Sequence, residues 1–120
     1  MRTDNQVLID SKSFALRIIR LYKFLRAEKQ VTILSKQILR SGTSIGANVR
    51  ESVNAQSRMD FINKLNIALK EANETEYWLE LLHESGYLDE QQFDSIYNDC
   101  GKIAATLTKI IKTTKSPDKE

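Results

Sequence analysis

The sequence is poor in the residues that break helices, form disulfides or bind metals. Its 120 residues include one cysteine, one proline, one histidine and four glycines. One cysteine excludes a disulfide within the chain and suits a reducing compartment. The N-terminal residues lack an apolar signal core, and no stretch approaches the ~18 apolar residues that a membrane-spanning helix needs. We therefore expect a cytoplasmic protein without membrane association.

The few prolines and glycines favour long helices over short strands. Apolar residues recur at the helical period, as in Phe14, Ile18, Leu21 and Leu25. Four helices are predicted over residues 11–28, 32–54, 58–84 and 89–114, followed by a frayed tail at 115–120. Because amphipathic helices with short connections pack most simply against their neighbours, we predict an all-α fold. It is an antiparallel up-down-up-down four-helix bundle, with residues 1–120 forming one domain.

The stretch ILRSGTSIGANVRE, residues 38–51, places Gly42 and Gly46 one helical turn apart. It does not fit a Walker phosphate loop, because the second glycine comes one position early, no lysine follows it and no strand precedes it. We predict instead a helix whose small residues let a neighbouring helix approach closely. That packing would offset the loss of helix propensity, about 1 kcal/mol per glycine. A helix kinked or broken at Ser41-Gly42 is the alternative.

A buried polar cluster is predicted between the second and third helices. At about 100° per residue, Arg40, Ser44, Asn48 and Glu51 share one quadrant beside the apolar face of the second helix. Glu76 lies on the apolar stripe of the third helix, where a carboxylate is costly unless it is paired. Arg40 is the candidate partner, since a guanidinium binds a carboxylate through two parallel hydrogen bonds. We expect the cluster to fix the register of the two helices.

The sequence contains no recognisable catalytic or metal site. Glu80-x-x-His83 matches half of the paired motif of di-metal bundles, but the chain has no second histidine. We interpret His83 as a structural residue and Cys100 as a small apolar residue of the core. No nucleophile and base occur in a catalytic pattern. We therefore predict a protein that is not an enzyme and has no catalytic residues, metal or cofactor.

Charge is divided unevenly along the chain. Residues 1–58 contain eleven Lys/Arg and four Asp/Glu, whereas residues 59–120 contain seven and twelve. The asymmetry indicates either a basic face for an anionic partner or two halves that attract each other. A basic surface repeated in an oligomer would bind RNA or DNA through phosphates, with little sequence specificity; in a monomer it is a solvated helix face. The predicted nucleic-acid-binding residues are Lys12, Arg17, Arg20, Lys23, Arg26, Lys29 and Lys36.

The third helix has a second apolar side that a four-helix bundle does not bury. Trp78, flanked by Tyr77 and Leu81, predicts an interface, and self-association is the simplest explanation. The predicted oligomer interface comprises Ile67, Glu74, Tyr77, Trp78 and Leu81. The alternative is an adaptor that binds a different protein through this surface, without nucleic acid.

Two runs of the sequence, LSKQILRSGTSIGANVRES and KLNIALKEANETEYWLELL, resemble a known family. They are similar to the four-helix bundle proteins encoded in intervening sequences of bacterial large-subunit ribosomal RNA genes. The accessory variability determinant proteins of diversity-generating retroelements are related to these. The likeness covers residues 10–113, and the chain departs from it at Lys70-Glu71 and at Glu51-Ser52. Its most specific positions are Arg40, Ser44, Ile45, Asn48, Glu51, Ala68, Glu74, Glu76 and Leu79.

The resemblance implies an up-and-down bundle that assembles as a homopentameric ring and has no enzymatic activity. For the retroelement members it implies binding to a reverse transcriptase and to nucleic acid, and for the ribosomal members binding to RNA. We therefore expect three classes of partner, which are further copies of the chain, RNA or DNA, and a protein such as a reverse transcriptase.

Overall fold

A computed structural model describes residues 5–116, and over that range it contains four α-helices and no strand. The helices are α1 (Asn5–Ala27), α2 (Ile33–Ser52), α3 (Arg58–Glu84) and α4 (Glu90–Lys115). Consecutive helices pack most extensively, and α4 closes the bundle against α1 through the weakest of the four contacts. The bundle measures 49 × 22 × 19 Å. The predicted all-α four-helix fold is confirmed.

The helix boundaries follow the predictions closely except at the start of α1. Helix α3 has the predicted bounds, whereas α1 already includes Asn5, six residues before the predicted start at 11. The early turns are stabilised by Val7, which is 1% exposed and extends the apolar stripe of α1. The predicted frayed tail at 115–120 is described only for Lys115, which ends α4, and for Ser116, its C-cap. Residues 117–120 lie outside the described range.

The connection between α3 and α4 is fixed by local hydrogen bonds. Gly86 has φ +86°, the left-handed conformation in which a glycine commonly ends a helix. The side chain of Asp89 then accepts a hydrogen bond from the Gln92 amide at 2.8 Å, and the Gln92 side chain accepts one from the Asp89 amide at 2.9 Å. This reciprocal capping box satisfies two amides that the start of α4 would otherwise leave free.

The small residues of α2 lie where α1 approaches most closely. A Cβ atom placed on Gly42 would lie 2.7 Å from Ile18 Cγ1, and one on Gly46 would lie 3.2 Å from the Ser11 carbonyl oxygen. Helix α2 is unbroken through both glycines. The predicted close packing is confirmed, and the alternative of a broken helix is wrong. None of the four described helices has both the length and the hydropathy that crossing a membrane requires.

Candidate nucleic-acid interface

Helix α1 exposes basic side chains along most of its length, with the apolar Leu16, which is 50% exposed, among them. It contains five basic residues and one acid, Asp10, whose carboxylate accepts a hydrogen bond from the Gln6 side chain at 2.8 Å. Lys29 follows α1, and Lys36 lies in the first turns of the adjacent helix α2. We call the exposed members of this group the basic face; they are Lys12, Arg20, Lys23, Arg26, Lys29 and Lys36.

Two cations of the basic face rest on aromatic rings of α1. The Arg26 guanidinium lies 5.6 Å from the centre of the Tyr22 ring and donates a hydrogen bond to the Tyr22 hydroxyl at 2.8 Å. Lys29 Nζ lies 5.9 Å from the centre of the Phe24 ring. Both distances are within cation–π range. These contacts hold the charges near the end of α1 without neutralising them.

Arg17 does not belong to the basic face, although the sequence predicted that it would. Its guanidinium turns toward α4, where it pairs with Asp99 at 2.6 Å and donates to the Ser95 hydroxyl at 2.6 Å. A carboxylate at that distance offsets the positive charge that a phosphate would otherwise meet. Arg17 thus connects α1 to α4, the pair of helices with the weakest contact.

The predicted polar cluster between α2 and α3 does not form as one network, and Arg40 pairs with other carboxylates than the predicted one. Arg40 pairs with Glu71 at 3.3 Å and with Glu74, not with Glu76. The site is also less buried than predicted, because the Arg40 side chain is 51% exposed. The pKa of Arg40 is raised, first by its hydrogen bond to Glu74. The pKa of Glu74 is lowered, first by the hydrogen bond that the Trp78 indole donates and then by Arg40.

The other predicted members of the cluster remain on their own helix or pair elsewhere. The Ser44 hydroxyl donates to the Arg40 carbonyl at 2.6 Å, and the Asn48 amide donates to the Ser44 carbonyl at 2.8 Å. Glu51 pairs with Lys64 of α3 at 3.0 Å. The polar cluster predicted from the shared quadrant is therefore wrong as a single buried network. Its members form separate contacts along the edge of α2.

A buried polar contact between α2 and α3 is made by two residues that were not predicted from the sequence. Thr75 donates a hydrogen bond to the Ser41 hydroxyl at 2.9 Å, and both side chains are fully buried. The sequence did contain a signal for this contact, because Ser41 adjoins Gly42 on the small-residue face of α2. This contact fixes the register of the two helices because the buried Ser41 hydroxyl would otherwise be unsatisfied, whereas the Thr75 hydroxyl also lies 2.8 Å from the Glu71 carbonyl.

Glu76 lies on the α4 side of α3 and is half-buried. A Cβ atom on Gly101 of α4 would lie 3.7 Å from its Oε2 atom. Burial and the neighbouring charge of Glu80 raise the pKa of Glu76. Glu80 accepts a hydrogen bond from the Tyr97 hydroxyl at 2.7 Å, which raises the pKa of Tyr97 to about 12. The carboxylate that was predicted to bind Arg40 instead faces a second acid and a tyrosine.

Replacing Glu76 with glutamine is expected to stabilise the protein at pH 7. Because the pKa of Glu76 is higher in the folded state, protonation of its carboxyl group stabilises the fold. This stabilisation is complete below the pKa that Glu76 has in the unfolded chain. It is lost as the pH rises through the folded pKa. Glu76→Gln should therefore raise the urea midpoint at pH 7, and the gain should shrink toward pH 4. Glu84→Gln, on the exposed side of α3, is the control; an equal gain at both pH values for Glu76→Gln would contradict this assignment.

Only some residues of the predicted oligomer interface are exposed in the structure. Tyr77 and Ile67 are exposed, at 54% and 42%. Trp78 instead packs against the core, and its indole donates to Glu74 at 3.1 Å. Leu81 is half-buried. The apolar surface available to a partner on α3 therefore centres on Tyr77, whose ring is tilted against that of Trp78 at 5.2 Å.

His83 and Cys100 make packing and hydrogen-bond contacts within the bundle. The His83 ring stacks on Phe93 at 4.2 Å between ring centres, and its Nε2 lies 3.1 Å from Glu90 Oε1. Cys100 is buried, its thiol donates to the Ala72 carbonyl at 3.4 Å, and burial followed by the charge of Glu76 raises its pKa to about 12. Within residues 5–116, no three histidine, cysteine, aspartate or glutamate residues form a group that could hold a metal.

Comparison with known proteins links this arrangement to one family. The sequence matches the sequence model of the 23S rRNA-intervening sequence protein over residues 3–109. A crystal structure of a protein of unknown function from the S23 ribosomal protein family of Bacteroides thetaiotaomicron VPI-5482 is 62% identical. The match covers 92% of this chain and 98% of that chain, with a TM-score of 0.90. Comparison with curated protein sequences gives no significant match.

Proposed function

The chain belongs to the 23S rRNA-intervening sequence protein family, and from that premise we propose that it is a non-catalytic bundle that self-associates and binds nucleic acid. The binding surface is the basic face on α1 and the start of α2. The resemblance implies binding to RNA for the ribosomal members of this family, and on that basis we propose RNA rather than DNA as the ligand. From the resemblance to ring-forming relatives, we propose a pentamer as the assembled form.

The observation that supports this proposal is the absence of carboxylate partners on the basic face. Over the described range, none of its six residues forms an ion pair, whereas Arg17 and Arg40 of the same two helices do. A cluster of unpaired cations raises the local positive potential and attracts a polyanion. An oligomer would repeat the cluster, and binding several copies to one strand increases avidity without any new contact.

The chemistry of the basic face favours phosphate contacts over base recognition. Tyr22 and Phe24, the two aromatic residues of α1 that contact the basic face, are partly buried and already contact Arg26 and Lys29. Stacking on bases requires exposed rings. We therefore propose binding with little sequence preference, in which the charged side chains contact the backbone of the strand.

A second candidate function is an adaptor that binds a different protein, such as a reverse transcriptase, through the exposed part of α3. The specific observation is Tyr77, a large ring that is 54% exposed beside the half-buried Leu81. An apolar contact of this kind would respond weakly to salt, since screening acts on exposed charges.

Salt dependence separates the two functions. A fluorescently labelled single-stranded RNA is titrated with the wild-type protein at about 50 mM and about 200 mM salt, and anisotropy is recorded. We expect the protein to bind the RNA at the lower salt. As salt is raised, log K should fall against log salt with a slope of about −0.7 per phosphate contact. Absence of binding at the lower salt, or binding that salt does not change, would overturn the nucleic-acid proposal.

A further inference from the structure

An open apolar groove runs between the N-terminal half of α1 and the C-terminal half of α2. Its volume is about 660 Å³. Three residues with little or no side chain line it, Ala15, Gly46 and Ala47. Its lining also includes Ile9 and Val53, which are 59% and 53% exposed. The close approach of α1 and α2 at the glycines therefore leaves a concave apolar surface in contact with water.

The edges of the groove are basic. Lys12 and Arg50 line it, and both side chains are exposed. Neither pairs with a carboxylate in the part of the chain that the structure describes. An apolar surface with two unpaired cations at its edge would be complemented by an apolar residue with acidic neighbours.

The outer side of α3 has these complementary properties. Tyr77 projects from it, supported by the Trp78 ring. Glu80 and Glu84, three and seven residues after Tyr77, lie on its side of the helix and form no ion pair among the described residues, whereas Glu74 is paired with Arg40. Helix α3 as a whole contains six acids and three Lys/Arg residues. Each chain thus presents a concave apolar surface with basic edges and, on another helix, a convex apolar residue among acids.

We propose that the groove between α1 and α2 receives the Tyr77 side of α3 from a second copy of the chain. This rests on the self-association included in the proposed function, and it identifies the two surfaces that meet. Because the surfaces differ, the contact is head-to-tail, so repetition produces a closed ring or an open filament. The contact covers Lys12 and leaves the remainder of the basic face, at the other end of α1, open to solvent.

Disulfide trapping between two differently tagged chains tests the contact. One chain contains Ala47→Cys in the groove, and the other contains Asn73→Cys, one turn before Tyr77 on α3, so that the Tyr77 ring is kept; both positions are exposed. Cys100 stays in place because it is buried, and unmodified chains show its background. After mixing and mild oxidation, we expect a disulfide between the two tags. Lys109→Cys, on the exposed side of α4, is the matched control and should form no disulfide with Ala47→Cys.

A chain with both cysteines should give a ladder on a denaturing gel that ends at the number of copies in the ring. Light scattering of the same samples before oxidation gives their mass. A multiple of 13.8 kDa together with the mixed disulfide supports the proposal. A multiple without the mixed disulfide, or with Asn73→Cys joined only to itself, would overturn the groove contact while self-association stands. A mass of one chain would overturn both.

Discussion

Replacing Gly42 with alanine is expected to destabilise the protein by up to about 2 kcal/mol. Alanine gains about 1 kcal/mol of helix propensity over glycine, but overpacking a filled core costs about 1–3 kcal/mol. The cost of packing exceeds the gain in propensity here, because the new Cβ atom would lie 2.7 Å from Cγ1 and 2.9 Å from Cγ2 of Ile18. Ile18 is β-branched and fully buried, so it cannot rotate away cheaply. Urea denaturation gives the free energy of unfolding.

Gly101→Ala is the matched control, because Gly101 is also helical and has more space. Its new Cβ atom would have a single neighbour within 4 Å, Glu76 Oε2 at 3.7 Å. Propensity alone should then stabilise this variant by up to about 1 kcal/mol. Combining Gly42→Ala with Ile18→Ala should cost less than the sum of the two single changes, since one contact causes the strain. If both glycine variants were equally stabilised, close packing of α1 and α2 at Gly42 would be refuted.

Neutralising four cations of the basic face is expected to weaken RNA binding at least about a hundredfold at about 50 mM salt. Four lost contacts at about 0.7 each reduce the slope of log K against log salt by roughly 2.8. The change spares Lys12, which lines the α1–α2 groove, so that assembly is preserved. The substitutions are to glutamine at Lys23, Arg26, Lys29 and Lys36.

A variant with the same loss of charge on α4 separates the position of the cations from the net charge. Both variants lower the net charge of +2 by four, to −2. If the basic face is the binding surface, the α4 variant should retain affinity within a few-fold and keep most of the salt slope. Equal losses in the two variants would mean that overall charge, not this face, determines binding. The control substitutions are to glutamine at Lys102, Lys109, Lys112 and Lys115.

The sequence predicts the helices well because each has an apolar stripe at the helical period. Helix α3 has the predicted bounds because Ser57 caps its start by accepting from the Asp60 amide at 3.0 Å, and Gly86 terminates it. The role of Gly42 was also predictable, since two glycines one turn apart in a helix need a packing reason. The start of α1 was missed because Val7 precedes the run of apolar residues that defines the stripe.

The partners of the charged side chains could not be predicted, because periodicity does not say which neighbour faces each side of a helix. Glu74 and Glu76 are only two residues apart on α3, yet the first faces Arg40 of α2 and the second faces α4. Likewise, the pairing of Arg17 with Asp99 joins residues 82 positions apart. The order of the helices around the bundle has to be known before either pair can be assigned.

The absolute mass of the wild-type protein, measured by light scattering with and without a short single-stranded RNA, tests most directly whether the bundle self-associates and binds nucleic acid. At low salt we predict a multiple of the 13.8 kDa chain, five copies in the proposed form. With RNA, the mass should increase and the two components should elute together, then separate at higher salt. A 13.8 kDa species that elutes apart from the RNA at low salt would contradict the account.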